Sequence, residues 1–102
     1  MARQSQAATI EGNGGPLQVK GALTFATVPA LAALIKIWAV SEEIPIVVDL
    51  SGVSHSDSAG LALLLQWVGD VRALGGELRF INIPVQVEDF IRVNGLAQLL
   101  IN

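Results

Sequence analysis

An α/β domain is the fold class this sequence predicts: one small mixed sheet of about four strands, covered by helices. Three observations carry it. The run Ile46-Val47-Val48-Asp49-Leu50 is continuous and β-branched, the pattern of a strand covered on both faces. Two longer stretches repeat apolar residues at helical spacing. Gly and Pro clusters punctuate the chain between these runs. The predicted order is β-β-α-β-α-β-α, with the last three strands joined by helical crossovers.

Residues 1–6 are expected to be a loose start. Ala7 to Glu11 is a weak strand, Gly12-Asn13-Gly14-Gly15-Pro16 a turn, and Leu17 to Gly21 a returning strand, so the pair is a hairpin. Thr27 before Val28-Pro29 marks a helix start, because Pro is tolerated in a first turn. The stripe Val28, Leu31, Leu34, Ile35 and Trp38 is expected to face the core. Ser41-Glu42-Glu43-Ile44-Pro45 ends that helix. After the strand Ile46 to Leu50 comes a short polar loop, then a second helix from about Ser58 to Leu74, stopped at Gly75-Gly76. Glu77 to Ile83 is a strand. Pro84 opens a third helix, with Val87, Phe90 and Ile91 inward and Gly95 as its stop, and Leu96, Leu99 and Leu100 close the chain.

With 102 residues the chain is expected to be one domain. Such a domain buries somewhat over about 60% of its unfolded surface, enough for one core. Hydrophobic residues make up 52% and charged residues only 15%, so some surface must be apolar or small. The net charge of -3 and the absence of any basic run argue against nucleic acid as a partner. Cysteine is absent, which rules out disulfides and thiolate chemistry and suits the cytosol. Ala2 to Ala8 is polar and small, so no charged-then-apolar signal peptide is expected, and the longest apolar stretch, Val28 to Val40, contains Pro29 and Lys36 and is too short to span a bilayer. A cytoplasmic protein without direct membrane insertion is expected.

The second helix carries two faces. Leu61, Leu64, Leu65, Val68 and Val71 fall in one arc and should pack on the sheet. Ser58, Ala62, Gln66, Gly69 and Ala73 fall in another arc of about 80°, small and nearly uncharged. Gly69 costs roughly 1 kcal/mol of helix stability relative to Ala, which close approach of another helix would justify. Ala and Gln on an outer face also need no function, so both readings stand on composition. Leu63 and Trp67, one turn apart, are expected on the border between the faces.

Ser58, His55, Asp57 and Asp49 contain the letters of a catalytic triad. His55, Asp57 and Ser58 are near neighbours on one loop, whereas a triad draws base and nucleophile from separate elements of a scaffold. No Gly-x-Ser-x-Gly pattern surrounds Ser58. Gly12-Asn13-Gly14-Gly15 lacks the Lys-Ser or Lys-Thr of a phosphate loop. One His and scattered carboxylates make no metal site. No enzyme, metal or cofactor is therefore expected. Asp57 suits the N-cap, accepting from the N–H of Ala59 or Gly60, with Ser58 first in the helix and its hydroxyl outward. A phosphate on Ser58 would bring bulk and roughly -2 charge to a face suited to dry contact. An ordinary helix-start serine explains the same residue.

Asp49-Leu50-Ser51-Gly52-Val53-Ser54-His55-Ser56-Asp57-Ser58-Ala59-Gly60 resembles the signature loop of the STAS domain family, named for sulfate transporters and anti-sigma factor antagonists. Gly21-Ala22-Leu23-Thr24-Phe25-Ala26-Thr27 is similar to that family's approach to its first helix. Gly60-Leu61-Ala62-Leu63-Leu64-Leu65-Gln66-Trp67, Gly75-Gly76-Glu77-Leu78 and the short end at Asn102 look most like the MlaB branch. The resemblance implies the STAS, anti-sigma factor antagonist-like fold. It also implies a non-catalytic cytoplasmic accessory subunit, peripheral to the inner membrane, in a phospholipid-transport ABC complex. The implied partner is the ATPase and, through it, the permease. Ser58 with Asp57 and Ala59 would form the contact, joined by Ala62, Leu63, Gln66, Trp67 and Gly69. Ser58 also matches the serine phosphorylated in anti-sigma factor antagonists, so the alternative is an antagonist of an anti-sigma kinase, switched by phosphorylation of Ser58. Only Leu96 to Asn102 follow Gly95, where those antagonists carry a longer helix, which favours the transporter branch.

Overall fold

The computed structural model describes residues 8–12, 15–39 and 45–101, without the side chains of Trp38 and Ala39. The expected loose start, the middle of the first turn and most of the break after the first helix lie outside the described residues, as do Ala7 and Asn102. Strand β1 (Thr9–Glu11) pairs antiparallel with β2 (Leu17–Leu23), with Ile10 opposite Val19. Strands β3 (Ile46–Ser56) and β4 (Leu78–Ile81) continue the sheet in parallel, in the order β1-β2-β3-β4. The predicted hairpin followed by helical crossovers is therefore the observed topology.

One face of the sheet is the core. Leu17 and Val19 of β2, Ile46, Val48 and Leu50 of β3, and Leu78 and Phe80 of β4 are buried. Their strand neighbours Gln18, Lys20 and Arg79 are exposed. Val47 and Asp49 are only half-buried, so β3 is not covered equally on both faces as its apolar run suggested. Right-handed crossovers between successive neighbouring strands bring helices back to the same side of a sheet, which accounts for the asymmetry.

Strand β3 is also longer than its apolar run. Residues Ser51 to Ser56, expected as a polar loop, pair with the second half of β2: Lys20 lies opposite Gly52, Gly21 opposite Val53 and Leu23 opposite Ser56. Two register shifts place an extra β3 residue between Gln18 and Lys20 and another between Gly21 and Leu23. Bulges of this kind break the inside-outside alternation that marks a strand in sequence. At the first shift Asp49 Oδ1 accepts from the Ser51 amide at 2.8 Å.

The stretch expected as one helix from Val28 is two short ones, α1 (Val28–Leu31) and α2 (Ile35–Ala39). Between them the amides of Leu34, Lys36 and Ile37 bond the carbonyls three residues back, at 3.0, 3.3 and 3.0 Å. In a continuous α-helix the Ala32 carbonyl would accept from Lys36. Here it accepts instead from Nε1 of Trp67, at 3.2 Å. A side chain drawn into the backbone ladder is a recognised cause of helix interruption. Leu31 and Ile35 of the expected stripe are buried, and Val28 and Leu34 pack against the core from half-buried positions.

Helix α3 (Ser58–Ala73) is the longest element, followed by α4 (Val85–Val93) and α5 (Ala97–Leu100). Val87 and Ile91 of α4 and Leu100 of α5 are buried, while Leu99 is exposed. Gly75 and Gly95 stop α3 and α4 with φ of 86° and 73°, as glycine at a helix end permits. No helix among the described residues is long and apolar enough to cross a membrane.

Candidate functional site

The first turn of α3 is built around Asp57. Its backbone is extended, and its side chain caps the helix: Oδ1 accepts from the amides of Ala59 at 2.8 Å and Gly60 at 3.2 Å. The second oxygen reaches a different element. Asp57 Oδ2 accepts from the amide of Phe25, in the turn between β2 and α1, at 3.0 Å. The Phe25 amide is the main reason that the Asp57 carboxyl lies below the usual carboxylate range, with the Gly60 and Ala59 amides and the nearby His55 adding to it against the opposing effect of burial. The Asp57 amide in turn donates to the Leu23 carbonyl at 3.1 Å.

Gly60 allows α3 to sit this close to the sheet. A Cβ there would overlap Ser56 Oγ and would lie 2.6 Å from the Leu23 carbonyl oxygen. A strand end, the β2–α1 turn and the helix start are thereby drawn together at one corner.

Ser58 opens α3 and is exposed, as expected. Ala62, Gln66, Gly69 and Ala73 are exposed along the same face, and Asp57 and Ala59 beside its start are half-buried. The sequence-derived outer face is thus a continuous outer face in the fold. A Cβ on Gly69 would meet nothing within 4 Å, so the chain's own packing does not require glycine there.

Leu63 and Trp67 do not belong to this face. They are 1% and 0% exposed, within the core, and cannot touch a partner across an intact surface. Relative to the sequence expectation, the buried arc of α3 is turned toward them by about 60°. Leu65 and Val68, expected inward, are only half-buried. The physical reason is that α3 packs against α1 and α2 as well as against the sheet, and the Trp67 indole bonds into the α1–α2 turn.

Phe25 is the residue that sequence reasoning passed over. It is 83% exposed, although its amide is held by Asp57 beside Ser58. The signal in the sequence is an aromatic residue outside every apolar stripe, between Thr24 and Ala26. Its turn is otherwise self-contained. The Thr24 amide donates to Thr27 Oγ1, the Ala26 amide to Thr24 Oγ1, and the Thr27 and Val28 amides to the Thr24 carbonyl. Thr27 is buried and its Oγ1 donates to the Ala22 carbonyl at 2.7 Å.

A family model described as "Mlab, STAS domain" matches residues 7–101. No curated protein matches the chain. The fold recurs in the murine Solute Carrier 26 family member A9 (Slc26a9) anion transporter in the inward-facing state, with a TM-score of 0.64 and 22% identity. That match covers 89% of this chain and 16% of the transporter, so this chain corresponds to a small part of that protein.

Proposed function

This chain belongs to the Mlab STAS domain family, and from that membership we propose a non-catalytic accessory subunit docked on the ATPase of a Mla-type phospholipid-transport ABC complex. The carrying observation is the exposed face Ser58, Ala62, Gln66, Gly69 and Ala73, which is uncharged, small except at Gln66, and unused by the chain's own core. Small residues let two backbones approach closely, and a dry contact of this kind tolerates neither bulk nor charge. The contact starts at Ser58, continues along α3 and places the domain on the cytoplasmic side of the inner membrane through its partner.

Affinity purification of the tagged chain from its native host tests the reading. Recovery of an ABC ATPase together with a membrane permease, lost in Ser58→Arg, is the expected result. Recovery of a small kinase-like partner, with phosphate on Ser58, overturns it in favour of an antagonist switched at that serine.

A further inference from the structure

We propose that Asp57 is a latch and positioning residue: its outer oxygen fixes the Phe25 turn to the first turn of α3, so that the exposed Phe25 side chain and Ser58 meet the ATPase as one rigid contact. The inference deepens the functional reading above and rests on it for the identity of the partner.

Backbone accounting carries the argument. Four of the five amides from Thr24 to Val28 are satisfied inside the turn, by Thr24 and Thr27. The Phe25 amide alone is satisfied from outside, by Asp57 Oδ2. A turn that satisfies itself keeps its own shape but is not thereby held to its neighbour. The Asp57 amide already ties the helix start to the Leu23 carbonyl at the end of β2, and Asp57 Oδ2 adds the tie to the turn itself with a charged acceptor, hydrogen bonds to ionised groups being shorter and stronger than neutral ones. Its two oxygens divide the work: one caps α3, the other reaches the turn. An N-cap alone requires only the first. The residue so held is 83% exposed, and a large apolar side chain presented on a polar-bonded turn has no use in the chain's own core. Aromatic residues are enriched where partners dock, and a rigid aromatic loses little freedom on binding.

The two oxygens have separate reporters, which makes the latch testable apart from the cap. Asp57→Ser keeps a capping hydroxyl but is too short to reach Phe25. Asp57→Asn keeps one oxygen for the Ala59 and Gly60 amides and turns an NH2 group toward the Phe25 amide. Amide hydrogen exchange in the full chain is the first readout. In both variants Phe25 is expected to exchange tenfold faster or more, while Ala59 keeps its protection. Unchanged Phe25 exchange in Asp57→Ser, which has no second oxygen to turn toward that amide, overturns the latch.

The second readout is affinity for the co-purifying ABC ATPase. Asp57→Ser and Phe25→Ala should each weaken binding about tenfold, and the double variant should be no weaker than either single one, because both remove the same presented contact. Full affinity in Phe25→Ala, or additive losses, overturns the shared contact. If the unaltered chain binds no such ATPase, the functional reading fails, and the exchange result still decides the latch.

Discussion

The indole Nε1 of Trp67 donates to the Ala32 carbonyl at 3.2 Å, joining α3 to the turn between α1 and α2 across 35 residues of sequence. One contact accounts for two departures from local expectation. It takes the acceptor that a continuous helix would give to Lys36, and it turns Trp67 inward from the border of the outer face of α3. Trp67→Phe removes the donor while keeping an aromatic ring, and should lower unfolding stability by about 1–3 kcal/mol. Trp67→Ala should cost about 3–5 kcal/mol. Urea denaturation checks both, and a loss near zero for Trp67→Ala would contradict a buried indole.

Gly60→Ala should destabilise by about 1–3 kcal/mol, because the added methyl meets the Leu23 carbonyl, which cannot move without disturbing β2. The thermal midpoint should fall by about 4–8 °C for each kcal/mol. Adding Ser56→Ala removes one of the clashing atoms but leaves the carbonyl, so the double variant should recover only part of the loss.

Gly69→Ala has the opposite sign. The site is open and helical, so alanine should raise stability by up to about 1 kcal/mol. Gly69→Trp should fold as well as the unaltered chain yet fail to bind the ATPase. A Gly69→Trp protein that binds normally would remove this stretch of α3 from the contact.

Ser58→Arg should abolish partner binding with a stability change below about 0.5 kcal/mol, since Ser58 is exposed and caps nothing. Circular dichroism melts beside a binding titration separate the two effects.

Acid should weaken the corner around Asp57. The Asp57 and Asp49 carboxyls both lie below the usual range, held there chiefly by the amides of Phe25 and Ser51 respectively. The unfolded chain therefore takes up these protons at higher pH than the folded one. Their contribution is fully present above the ordinary carboxylate value of about 4 and is lost as pH falls through the lower folded values. The stability gap between the unaltered chain and Asp57→Ser should be widest near neutrality and should close as the pH is lowered. A gap that widens in acid would contradict the assigned bonds.

Much of the site was legible because it is local. Asp57 as cap, Ser58 as first helical residue, and the glycine stops follow from what a helix end leaves unsatisfied, within a few residues of sequence. The outer face of α3 was legible too, because 3.6 residues per turn sorts Ser58, Ala62, Gln66, Gly69 and Ala73 to one side wherever the helix lies. Phe25 was not legible as part of the site. Its tie to Asp57 spans 32 residues, and no periodic pattern marks it.

The sequence by itself determined the order of elements, the hairpin and parallel crossovers, and the residues at each end of α3. These rest on local preferences: backbone freedom at glycine, the fixed φ of proline, capping and apolar period. Only the tertiary structure decided how far α3 is turned about its axis, that Leu63 and Trp67 are core, that the first helix divides at Ala32, and that Ser51 to Ser56 join the sheet. Each of these depends on a partner far along the chain, whether the α1–α2 turn or the second half of β2. A helix's period says which residues share a side, but the neighbours it packs against choose which side is buried.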